Sequence, residues 1–134
     1  MHHNHLLVKS FNAAAALEPY TAVKFGSDDT TVAQAVDADD YTIGFINDRG
    51  ITADQISKGY KVDVVMAGIA EVKAGGSITR GARLSVTTAG KVVTTTAPTA
   101  GTTVQVVGVA MASAASNDVI PALIAFSVSS QPGA

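Results

Sequence analysis

The residues able to do chemistry are few, and their positions suit it poorly. All three histidines (His2, His3, His5) fall within the first five residues of the chain. General acid–base catalysis needs a titratable group held within hydrogen-bond reach of the proton it moves. A terminal segment does not hold a base to that tolerance, so no Ser–His–acid triad is expected. The same histidines could ligate a transition metal, but three so close together in a terminal segment read as solvated or as contacting a partner.

The acidic residues cluster as Asp28-Asp29 and as Asp37-Ala38-Asp39-Asp40. The second cluster has the opening of a helix–loop–helix calcium loop, which requires Gly at its sixth position and Glu at its twelfth. Counted from Asp37, those places hold Thr42 and Asp48, so the cluster reads as a turn. No aromatic sugar platform lies beside these acids, which argues against a paired-carboxylate hydrolase. The segment Gly75-Gly76-Ser77-Ile78-Thr79-Arg80-Gly81-Ala82 has phosphate-loop spacing between Gly76 and Gly81. Where that motif needs Lys and then Ser or Thr, this chain has Ala82 and Arg83. The segment also lies between two strand patterns, where a phosphate loop would open a helix, and it reads as a β-turn. With no cysteine, thiolate chemistry and Cys-ligated metals are excluded. Neither catalytic residues nor a cofactor or metal site is expected.

The elements that would have to position any site are almost all β. Tyr20–Phe25, Thr31–Val36 and Tyr41–Ile46 read as short strands separated by turn compositions. Ile51–Lys58 is the one plausible helix, capped by Thr52 and ended by Gly59, with a loop as its alternative. Tyr60–Lys73 places Val62, Val64, Met66, Ala70 and Val72 at period 2, with Gly68 marking a bulge or bend. Arg83–Thr87 and Lys91–Thr96 flank Ala89-Gly90, a hairpin signal. Thr99–Thr103 reads as a loop. Val104–Ala112 and Val119–Val128 are the last strands, and Pro121 argues for an edge or a bulge in the second. A short echo links Gly68-Ile69-Ala70 with Gly108-Val109-Ala110. The fold expected is all-β, a small barrel or sandwich with at most one short helix.

Residues 1–17 stand apart as an extended N-terminal arm before a domain spanning 18–134. Leu6, Leu7, Val8 and Phe11 have no evident core of their own, so they are the candidate partner-binding residues. The alternative is a first β-strand of the domain. On the arm reading, deleting residues 2–11 leaves the fold intact.

Composition narrows the function classes. The chain has 134 residues, enough for one domain and a single core. Only 5% of residues are aromatic and none is Trp, so small aliphatic side chains must fill that core. Charged residues make up 15%, well below the roughly 25% usual for a soluble domain, as in a surface partly covered by partners. The net charge is −2, and the one basic cluster, Lys73, Arg80 and Arg83, is too small to hold a phosphate backbone. No nucleic-acid partner is expected. No run of 18 apolar residues exists to span a membrane, and the N-terminus lacks the pattern of a secretory signal. The protein is read as made in the cytoplasm of its host and used without secretion.

The series VDVVMAGIAEVKAGGSITRGARLSVTTAGKVV (62–93), then VVGVAMASAASNDVIPALI, resembles the capsid cement, or head decoration, proteins of tailed bacteriophages. The likeness lies in Gly68-Ile69-Ala70-Glu71-Val72, in Gly81-Ala82-Arg83-Leu84, and in the strand pair around Ala89-Gly90-Lys91. It continues in Val107-Gly108-Val109-Ala110 and in the turn with Asp118. Ala22-Val23-Lys24-Phe25-Gly26 and Ile43-Gly44-Phe45 fit as well. The resemblance implies a compact β-barrel or β-tulip fold and no enzymatic activity. It implies a place on the outer surface of the phage capsid, with the major capsid protein as partner. It also implies a homo-oligomer, a trimer in preference to a dimer. Two other classes compete with it. A carbohydrate- or receptor-binding module needs aromatic platforms, yet Tyr20, Phe25, Tyr41, Phe45, Tyr60 and Phe126 mostly read as core. Another phage assembly subunit would polymerise where a cement protein stays a small closed oligomer.

Overall fold

The computed structural model describes residues 4–36 and 40–130. Among these residues the strands are β1 (Asn4–Ala13), β2 (Ala22–Phe25), β3 (Thr31–Gln34), β4 (Gly44–Ile46), β5 (Val62–Lys73), β6 (Arg83–Val86), β7 (Val92–Thr94), β8 (Thr103–Ala110) and β9 (Val119–Ser130). One helix, α1 (Ala53–Ser57), precedes β5. Thr52 caps it, as the sequence predicts, and Gln55 completes a reciprocal capping box. The fold is all-β and barrel-like.

Strands β1, β3, β2, β4 and β5 pair in turn, and β1 pairs back onto β5, so five strands close into a ring. Beyond β5 the sheet continues through β9, β8, β6 and β7. It nearly closes as well, because Ala74 bridges Val92 and the Gly75 N–H donates to the Val92 carbonyl at 2.7 Å. Strand β5 is the seam of both lobes. Two cores result. One gathers Phe11, Leu17, Val23, Val32, Ile46 and Val64. The other gathers Phe45, Val65, Val72, Leu84, Val107 and Ile124.

The period-2 reading of β5 holds only in part. Val62 and Val64 belong to the first core with Met66 packed against it, whereas Ala70 and Val72 join Val65 in the second. The register explains the switch. His5 pairs with Gly68, Leu7 with Ala67 and Val8 with Val65, so Leu6 and Met66 are extra residues in two offsetting bulges. An extra residue reverses which face the later side chains occupy. Gly68 carries the bend with φ +95°, a backbone conformation that favours glycine.

The echo between Gly68-Ile69-Ala70 and Gly108-Val109-Ala110 corresponds to a shared neighbour. Both triplets pair with Ile124, Leu123 and Ala122 of β9, one from each side. At Gly108 the backbones come so close that an added Cβ would sit 2.2 Å from the Leu123 carbonyl oxygen. Gly108→Ala should therefore cost about 2 kcal/mol, a typical overpacking penalty, as measured by chemical denaturation. An unchanged midpoint would contradict this register.

Pro121 lies neither on an edge strand nor in a bulge, contrary to the sequence expectation; β9 runs between β5 and β8. Its carbonyl accepts from the Met111 N–H, one residue past the end of β8. In an antiparallel strand a residue's N and O face the same neighbour. The missing donor thus faces Met111, and the bond forgone is the reciprocal one to Met111, outside β8. The Ala89-Gly90 hairpin forms as predicted, with φ of 62° and 72° at the two central residues, as a primed turn requires.

The arm of the sequence reading is strand β1 among the described residues. Residues 4–11 run antiparallel to β5, and Asn12 and Ala13 turn to pair with β3. This matches the alternative of a first strand. Removing residues 2–11 would open the first ring and strip Phe11 from its core.

A polar clamp joins the lobes. The Gln105 amide oxygen accepts from the Thr42 N–H at 2.7 Å, and its amide nitrogen donates to the Thr42 carbonyl at 3.0 Å. Gln105 and Thr42 are both buried. Ser85 Oγ donates to the Gln105 carbonyl at 3.0 Å and accepts from the Thr95 hydroxyl at 2.7 Å.

Candidate functional site

The groups that could do chemistry are built into turns. Asp28 Oδ1 accepts from the Thr30 N–H and the Thr30 hydroxyl, each at 3.0 Å. Those bonds, the backbone one first, hold the Asp28 carboxyl below its ordinary range. Asp40 pairs with Lys24 at 2.9 Å and accepts from the Val36 N–H. His2, His3 and Asp37 to Asp39 lie outside the described residues. Among the described residues no three His, Cys, Asp or Glu side chains gather as a metal site.

Most amides of the Gly-rich segment are used internally, which leaves no continuous row of donors to cradle a phosphate. Gly75, Ile78 and Gly81 donate to the carbonyls of Val92, Ala114 and Ala110, and Arg80 donates to Ser113 Oγ. The basic cluster does not assemble either. Lys73 on β5 lies 3.9 Å from Glu18, and β9 and β8 separate it from Arg83 on β6.

What the chain does offer is apolar surface. Leu6, Leu7 and Val8 on β1 are 83%, 52% and 44% exposed, whereas Phe11 is 7% exposed. Of the four candidate partner-binding residues, three therefore present themselves outward. Phe11 is committed to the first core, with Lys9 Nζ 5.4 Å from its ring centre, and cannot anchor in a partner's pocket. The reason lies in register, since Phe11 stands opposite Val62 on the inward side of β5. Strand β5 covers one edge of β1, and β3 reaches only Asn12 and Ala13 on the other. From Asn4 to Ser10 that second edge has no strand beside it among the described residues. An open edge of this length is a template for adding a strand from another chain.

The aromatic residues are placed differently from the sequence expectation. Phe45 is core, but Phe25, Tyr41 and Tyr60 are exposed. They lie on separate elements, at the end of β2, before β4 and after α1. A cleft of about 640 Å³ lies between the lobes, lined by Leu17, Pro19, Ile51, Ala89 and Lys91 among others. Lys91 Nζ there donates to Asn117 Oδ1 at 2.8 Å.

The described residues thus form a β-fold with an open apolar edge and no gathered cluster of metal-ligating side chains. A family model for phage cement proteins matches residues 2–126, and the chain belongs to that family. It is accordingly a structural protein of the phage virion. Among solved structures it is similar to the head fiber gp8.5 N base in bacteriophage phi29. Identity is 19%, the TM-score is 0.64, and the match covers 89% of this chain and 93% of that one. At that identity the likeness shows the fold alone. No curated protein matches the chain.

Proposed function

We propose that this chain binds the outer surface of the assembled phage head and cements the lattice of the major capsid protein. The observation that carries the reading is the open edge of β1 with Leu6, Leu7 and Val8 exposed along it. A capsid segment added to that edge would gain main-chain hydrogen bonds and apolar contacts together. The family supports a place in the virion. Self-association into a small closed oligomer, a trimer in preference to a dimer, would let one particle engage several capsid subunits. Linked engagements multiply weak contacts through effective concentration. The protein works without catalysis, after synthesis in the host cytoplasm.

The test uses heads from particles lacking this protein. Adding the purified chain should bind them and raise the temperature at which they rupture. Binding without any gain in rupture temperature would contradict cementing, and failure to bind would contradict the reading as a whole.

A further inference from the structure

We propose that the outer face of β9 is where copies of this chain meet, packed about an axis parallel to β9 into a small closed oligomer. The inference deepens the self-association proposed above and rests on that reading.

Residues 119–125 read Val-Ile-Pro-Ala-Leu-Ile-Ala, without a polar side chain. Ile120, Ala122 and Ile124 are buried in the second core. Val119, Pro121, Leu123 and Ala125 alternate with them and are exposed. A strand with one solvated face alternates apolar with polar residues, whereas a strand covered on both faces reads as a continuous apolar run. In the single chain β9 has the composition of the second kind and the exposure of the first. Its neighbours widen the patch. Ile69 on β5 and Val109 on β8 stand opposite Leu123. Met111, also exposed, hydrogen-bonds through its backbone to Pro121. An apolar face of this kind marks an interaction surface.

The charges at its borders point to a second copy as the occupant. On the β5 side Glu71 stands opposite Pro121, and on the β6 side Arg83 stands opposite Val109. Neither forms an ion pair among the described residues. Closing copies about an axis parallel to β9 brings the β5 border of each copy against the β6 border of the next. Glu71 of one copy then meets Arg83 of its neighbour, while the apolar residues of β9 pack at the axis. This complementarity holds for two copies or three, and it uses up both borders, so the assembly closes.

The experiment measures mass in solution by light scattering across a concentration series, with circular dichroism as the check on folding. The unmodified chain should be a dimer or trimer. Leu123→Glu, at an exposed position, should keep the β spectrum and weaken association roughly 100-fold or more. Arg83→Glu alone should weaken association about tenfold, and adding Glu71→Arg should restore it. Three results would overturn the proposal: a monomeric unmodified chain, an oligomer unaffected by Leu123→Glu, or a double variant no better than Arg83→Glu. Head binding, measured on the same variants, separates the two readings. A monomer that binds heads and loses binding with Leu123→Glu would assign this face to the capsid and leave cementing intact.

Discussion

Gln105→Leu should destabilise the protein by about 4 kcal/mol, because it leaves the buried Thr42 N–H and carbonyl without partners at about 1–3 kcal/mol each. In the native chain the Gln105 amide acts as a short substitute for a strand partner, holding both main-chain groups of Thr42. Leucine has similar volume, so the loss is polar and not a cavity. A domain of this size holds roughly 5–15 kcal/mol in total, so the variant should melt on the order of 15 °C lower. Gln34→Leu provides the comparison, since Gln34 makes one part-buried bond to the Ala89 carbonyl. It should cost about 1 kcal/mol. Equal costs at the two positions in denaturant titrations would mean that the clamp between the lobes does not hold them together.

The second large effect concerns binding. Replacing Leu6, Leu7 and Val8 together with aspartate should weaken attachment to heads roughly 1000-fold, since burying each side chain contributes about 1.5 kcal/mol or more. The three side chains are exposed in the chain itself, so stability should change by no more than about 1 kcal/mol. Phe11→Ala should do the reverse, destabilising the fold by about 3 kcal/mol while the folded fraction still binds. Truncating residues 2–11 cannot make this distinction, because it removes β1 from the first ring along with the exposed residues. Full-affinity binding by the triple variant would place the capsid contact elsewhere on the molecule.

How far the sequence foretold this structure follows from the range of each interaction. The helix, the Ala89-Gly90 hairpin and most strands came from local signals, namely a cap, a turn dipeptide and alternation. Local signals do not place Phe11, because its inward position depends on pairing with Val62, some fifty residues away. The face switch in β5 needs the bulge at Met66, and only Gly68 hinted at it. Gln105 carried no signal, since a glutamine in a Val-rich strand is equally compatible with an outward position. Pro121 followed the general rule for edges until the end of β8 showed where its missing donor points. The apolar run 119–125 was legible as a strand, but the exposure of its second face required the assembled sheet.

The most direct test of cementing is the copy number of this chain on purified particles from its source, by quantitative mass spectrometry. About one copy is expected for each copy of the major capsid protein, released under mild denaturation without loss of the shell. Absence from the particles, or only a handful of copies on each, would contradict cementing.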